Sequence, residues 1–193
     1  ARPELKQLLD WAEKPEAHSI LLTDGPGTGK TCLLLDFADY IEQHTDWCLL
    51  FVKGDLFAHC ATEADLTEAG LPADLVPRAA RLARHRRVVV VIDSLDVLSL
   101  HREHRSLRLF LALLDRLERL PNLCLVTACR RFDLHYDPLL RERQWGKKLT
   151  LAPLDYDTVV LPLLALHGIA GEGFRALAKA SAGGSVMPPA SSP

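Results

Sequence analysis

The chain has no run of 18 or more apolar residues, so no transmembrane helix is expected. No secretory leader pattern opens it. It has no Cys-x-x-Cys pair. Its five cysteines, Cys32, Cys48, Cys60, Cys124 and Cys129, are scattered. They read as small buried apolar side chains of a reduced, cytoplasmic protein rather than as a disulfide framework or a zinc site. No sign of charge dominates either. The formal net charge of -2 gives no global basic field for nucleic acid. The single asparagine, Asn122, precedes Leu123, so the Asn-Lys-x-Asp loop that usually reads guanine is missing and a GTPase is disfavoured. Internal repeats are absent. What remains is a chain of 193 residues, 48% hydrophobic and 25% charged, enough for one globular domain with a small appendage and no need of disulfides or metals to hold it. The opening residue is alanine, and the chain is expected to be a segment of a longer polypeptide.

Apolar runs at Ser19–Thr23, Trp47–Val52, Val88–Ile92, Leu123–Thr127 and Leu149–Leu151 read as strands. Most are continuous rather than alternating, as strands covered on both faces should be. Helical spacing lies between them. Thr31–Gln43 carries Leu34, Phe37, Ala38 and Ile41 on one face, and Ser106–Leu120 carries Leu107, Phe110, Leu111, Leu114 and Leu117 until Pro121 stops it. Strand and helix in alternation imply a parallel sheet with helices on both sides and right-handed crossovers. One or two helices are expected over Ala61–Arg87, broken near Pro72 and Pro77. The pattern changes after Leu154, where Tyr156–His167 and Glu172–Ala182 read as helices with no strand to follow. Gly183–Pro193, rich in Gly, Ser and Pro, reads as disordered or as a truncated continuation. The expected organisation is a core over 1–152, the start of a helical lid over 153–182 and a tail over 183–193.

The strongest chemical signal is Gly25-Pro26-Gly27-Thr28-Gly29-Lys30-Thr31, placed after a strand and opening a helix. Glycines let the backbone curl so that several N–H groups aim at one anion, and the helix N-terminus adds partial positive charge. In such a loop Lys30 reaches the β- and γ-phosphates and the Thr31 hydroxyl ligates magnesium. One position departs from the usual pattern: Asp24 stands where the motif begins with glycine, which brings a negative charge toward the phosphates unless the side chain turns away. Further on, Val88 to Ile92 runs into Asp93-Ser94-Leu95-Asp96. A strand ending in an acid is how phosphate-loop enzymes present a carboxylate to magnesium, and Asp93 fits that place. Where many such ATPases put a glutamate there is Ser94. Asp96 is then the best candidate for orienting water, with capping of a helix as its plain structural alternative, and Asp55 comes next.

These segments together resemble the STAND class of AAA+-related ATPases, particularly NACHT-like domains, over about Arg2 to Ala182. The resemblance rests on DGPGTGKT (Asp24 to Thr31), VVVVIDSLD (Val88 to Asp96), LVTACR (Leu125 to Arg130) and LTLAPL (Leu149 to Leu154). It implies a three-layer α/β/α fold with strand order 5-1-4-3-2 and a helical lid. It also implies ATP or ADP with magnesium, slow hydrolysis, a nucleotide-dependent switch role within a larger protein, and nucleotide-dependent self-association. The resemblance assigns Gly25 to Thr31 to the phosphates, Thr31 and Asp93 to magnesium, Asp96 to water activation, and Thr127 or Arg130 to sensing the γ-phosphate. Arg2 resembles the arginine of the family's leading motif near the adenine, whereas Gly184 to Pro189 matches the lid's Gly-x-Pro element poorly. Ile92-Asp93-Ser94-Leu95 also resembles RecA-like and KaiC-like ATPases, but Phe51 to Asp55 holds no glutamate where those carry one. A nucleotide-gated interaction module without significant hydrolysis is the further alternative. Two basic clusters, Arg78 to Arg87 and Arg102, Arg105 and Arg108, read as solvated helix faces, so nucleic acid is not expected as a partner. His101 and His104 lack a third ligand nearby and read as a surface pair.

Overall fold

The computed structural model describes residues 2–25, 27–99, 104–166 and 168. The chain divides into two compact units, Ala1–Leu151 and Ala152–Pro193. In the first, helix α1 (Pro3–Ala12) leads into strand β1 (Ser19–Asp24), helix α2 (Lys30–His44) and strand β2 (Cys48–Lys53). Short helices α3 (Glu63–Glu68) and α4 (Leu75–Ala83) precede strand β3 (Val88–Asp93), and helix α5 (Arg105–Glu118) precedes strand β4 (Leu123–Arg130). Helices α6 (Arg131–Tyr136) and α7 (Pro138–Glu142) then lead to strand β5 (Lys147–Thr150). In the second unit, Tyr156–Val160 forms a π-helical turn and α8 spans Leu161–Leu166. The expected helix at 172–182 and the tail lie outside the described residues.

All five strands are parallel, in the order β2-β3-β4-β1-β5. Read from the other edge this is the expected 5-1-4-3-2. Successive side chains on a strand point to opposite faces, and the sheet obeys this along β3. Val88, Val90 and Ile92 join Leu107, Phe110, Leu114 and Leu117 of α5 on one side. Val89 and Val91 join Leu33, Phe37 and Ile41 of α2 and Leu8 and Trp11 of α1 on the other. Every residue of β3 is buried, which is why its sequence shows no polar alternation.

Register decides what meets at the carboxyl edge. Asp24 pairs with Arg130, and Lys53 with Asp93, so residues remote in sequence are brought to one rim. The opposite rim is fastened by Arg87, whose guanidinium donates to the carbonyls of Lys14 at 2.9 Å and Ala17 at 3.1 Å and lies over the Trp47 ring.

Several local expectations need correction. Pro77 does not break a helix. It is the third residue of α4, within the first turn, where a backbone N–H has no intrahelical partner to lose. Strand β5 begins two residues earlier than the apolar run suggests, because an edge strand tolerates exposed Lys147 and Lys148. Helices α1, α6 and α7 were not foreseen. Helix α7 is set by Asp137, whose Oδ1 accepts from the backbone N–H groups of Leu139 at 2.8 Å and Leu140 at 3.2 Å, with Pro138 at the first helical position. Arg143 then ties this segment to α5 through Asp115 and through Glu118 at 2.8 Å.

Gly54, just after β2, touches the turn that follows Asp93. A Cβ there would stand 2.6 Å from the Ser94 carbonyl oxygen and 3.1 Å from that of Asp93. Both obstacles are backbone and cannot swing aside. Gly54→Ala is therefore expected to lower unfolding free energy by about 1–3 kcal/mol, the usual range for overpacking. A urea unfolding midpoint equal to that of the parent would contradict this contact.

Candidate functional site

The loop between β1 and α2 curls because Gly27 and Gly29 take φ of +75° and +82°, a region only glycine occupies without strain. Gly29 caps α2, and Lys30 and Thr31 open it. Side chains hold the curl. The Thr28 hydroxyl donates to the Gly25 carbonyl at 3.1 Å, and the Arg2 guanidinium donates to the Thr28 carbonyl at 2.7 Å. The Lys30 ammonium bends back onto the loop, donating to the carbonyls of Gly25 at 2.7 Å and Asp24 at 3.1 Å and to the Thr28 hydroxyl at 3.3 Å.

Asp24 is folded onto its own loop, its carboxylate accepting the Gly25 N–H at 2.6 Å. It still acts on Lys30. Burial lowers the Lys30 pKa below the usual 10.5, while the charges of Asp24 and then Asp96 oppose that fall. The acid that breaks the usual motif thus helps keep the half-buried ammonium charged.

Across the cleft, the Thr31 hydroxyl donates to Asp93 Oδ2 at 2.9 Å, and Asp93 is buried. The turn after it passes through Ser94 at φ +61° and brings Asp96 beneath the end of β4. There Asp96 Oδ1 accepts the backbone N–H of Arg130 at 3.1 Å, and Oδ2 lies 3.2 Å from Arg130 Nε. The Asp96 carboxylate caps no helix. It is 95% enclosed, by its side-chain exposure of 5%, and it holds the half-exposed Arg130 over the cleft. Lys30, Thr31, Asp93, Asp96 and Arg130 all line this cleft of about 380 Å³, with Gly27, Thr28, Gly29, Cys32, Ser94 and Ala128.

Not every expected residue is there. Thr127 faces elsewhere: its buried hydroxyl donates to the Ile20 carbonyl at 3.2 Å. Strand alternation sends Ala128 and Arg130 to the cleft side and Thr127 away from it, a signal that the period of two already contained. Asp55 is exposed in a 3₁₀ turn and does not line the cleft. Gly25 supports Lys30 through its carbonyl, and Pro26 and His101 lie outside the described residues. His104 sits 3.0 Å from the Asp137 carboxylate, and no cluster of three or more metal-type ligands occurs among the described residues. The contacts that sequence reasoning missed are the Arg2 tether and the Asp96–Arg130 clasp, both between segments remote in the chain.

Because Asp96 supports the charged form of Lys30, Asp96→Asn is expected to move the Lys30 titration further down. An NMR titration of the lysine side chains checks this, and a Lys30 pKa that stays put or rises would contradict the arrangement.

Among the described residues no helix is long and apolar enough to cross a membrane. No curated protein matches the chain. Among solved structures, one described as a DNA replication initiation factor aligns over 86% of this chain and 50% of its own, with 17% identity and a TM-score of 0.58. Another, PCH-2 of C. elegans, aligns over 86% of this chain and 48% of its own, with 19% identity and a TM-score of 0.50. The chain thus spans about half the length of these structures, and at such identity they speak for the fold alone. The model for the ATPase family associated with various cellular activities matches residues 20–152, well over half of the sequence, and this chain belongs to that AAA family of P-loop ATPases.

Proposed function

We propose that the cleft binds ATP with magnesium and hydrolyses it slowly, as a switch domain of the STAND, NACHT-like class within a longer protein. The observation that carries this reading is the Thr31 hydroxyl set on the Asp93 carboxylate at 2.9 Å, at the mouth of a glycine loop that also holds Lys30. Both groups are hard oxygen donors, few in number, which suits an ion that keeps several waters and shares phosphate oxygens. Thr31 and Asp93 would hold magnesium, and the ion when bound would neutralise charge on the phosphates.

The chain's own groups account for the rest. The loop N–H groups and the start of α2 receive the phosphates. Lys30, now satisfied by backbone carbonyls, exchanges them for β- and γ-phosphate oxygens, a gain because a half-buried cation prefers a full anion to a dipole. Arg130 leans over the cleft where the γ-phosphate would end, and Asp96 restrains it. With both oxygens occupied by Arg130, Asp96 can orient water only when Arg130 turns to the phosphate. That gating favours slow turnover. It equally favours the second reading, a nucleotide-gated interaction module without significant hydrolysis. The region from 153 onward is proposed to begin the helical lid, and Arg2 to report the state of the loop to the segment that precedes α1. Self-association driven by nucleotide belongs to the same proposal.

Titration with a fluorescent ATP analogue, competed by ATP, ADP and GTP, tests the site. Lys30→Ala is expected to weaken binding at least ~100-fold, since it removes a desolvated charge-assisted pair, without loss of fold. Equal affinity in a folded Lys30→Ala protein would refute the assignment. Asp96→Asn is expected to cut phosphate release by ~100-fold, the scale of a lost general base, with ATP affinity retained. Undiminished release would leave Asp96 as a restraint on Arg130 and favour the module over the ATPase.

A further inference from the structure

A second cleft, of about 820 Å³, opens beside β1; it borders the phosphate loop at Gly25 but shares none of the residues that line the cleft of Lys30 and Asp93. It lies on the sheet face shared by Leu21 and Thr23, the face that α5 covers farther down, whereas Leu22 points to α2. Its walls are α6, α7 and the edge strand β5. Arg131, Arg141 and Lys148 supply three cations, and no carboxylate is part of the lining. Of the nearby acids, Asp137 caps α7 and faces His104, Asp133 feels the charges of Asp96 and Arg130, and Glu142 lies 3.5 Å from Arg141 in an exposed pair that a bound phosphate has to displace.

A further observation points to a ligand. Phe132 and Tyr136, four residues apart on α6, lie against each other with centroids 4.3 Å apart and planes tilted by 37°, yet are 66% and 64% exposed. Aromatic rings left in water at one spot mark a binding surface more often than a packing residue. Thr23 lies at the floor of the cleft, its hydroxyl buried without a hydrogen-bond partner.

Exposed rings with cations around them match a polyanion that carries flat bases. We propose that this cleft binds a single strand of nucleic acid, its bases stacked on Phe132 and Tyr136 and its phosphates on Arg131, Arg141 and Lys148. An acidic peptide would satisfy the cations but leave the rings uncovered. A duplex would keep its bases inside the helix and away from them. The net charge of -2 offers no long-range attraction, so stacking and these local pairs must supply the affinity.

The test is fluorescence anisotropy of the whole chain with labelled oligothymidine and oligouridine of about 15 nucleotides, long enough for a site of this type. Binding of either strand is expected, and the two arms tell DNA from RNA. Phe132→Ala and Tyr136→Ala should each weaken it ~10-fold, the scale of one lost base stack. Three phosphate contacts predict a log–log salt slope of about −2. Both rings are exposed, so an unchanged melting midpoint verifies the fold of the variants; Lys148→Glu, on an exposed edge, is the second probe and should also weaken binding. Lys30→Ala should bind the strand like the parent. The proposal is overturned if neither strand binds, if the ring variants bind like the parent, if blunt duplex binds as tightly, if polyglutamate displaces the strand as well as unlabelled oligonucleotide does, or if Lys30→Ala abolishes binding, which would place the strand's phosphates in the nucleotide cradle.

Discussion

The hydrogen bond from Thr31 to Asp93 joins the first residues of α2 to the last residue of β3, and the candidate site depends on it. Parallel strands make such a meeting possible. Every strand ends on the same rim, so the loop after β1, the acid after β3 and the arginine at the end of β4 converge although they lie far apart in the chain. Two apolar layers hold the rim in place: α1 and α2 on one face, α3 to α5 on the other. Gly54 lets the turn after β2 press against the backbone that carries Asp93, so even the neighbouring strand sets the position of that carboxylate.

Charge is arranged economically around the cradle. One lysine is partly desolvated, and the charges of Asp24 and Asp96 act to retain its proton. Each acid has a second duty: Asp24 accepts the first N–H of the loop, and Asp96 clasps Arg130 by backbone and side chain together. A charge network of this kind costs little while closed and has a defined way to open, since an incoming anion competes for Lys30 and Arg130 alike. Cys129, on the far side of β4, is pushed well above the ordinary thiol range by burial, which leaves it inert beside this network.

Much of the architecture was legible in the sequence because it rests on local signals. The valine run of β3, the helical stripe of α5 and the glycine loop each state their own structure, and alternation of strand and helix implied a parallel sheet, whereas the order of its strands came from the family resemblance. What escaped notice was of two kinds. Helices α6 and α7 are too short to show a period, and they exist because Asp137, Pro138 and Arg143 fix them from their ends. The Asp96–Arg130 clasp and the Arg2 tether join residues that no local pattern connects. Thr127 stands apart from the cleft for a different reason. Resemblance to a motif chose the residue, whereas the alternation of β4 decides which side chains reach the cleft, and those are Ala128 and Arg130.

Arg87 gives the two rims of the sheet different characters. Its guanidinium is held by the carbonyls of Lys14 and Ala17 and by the face of Trp47, groups that do not titrate and that counterions do not displace. On the opposite rim Arg130 is half exposed and is held by the Asp96 carboxylate. Added salt is therefore expected to weaken that clasp more than the Arg87 clamp, so the two ends of the sheet differ in what a passing anion can disturb.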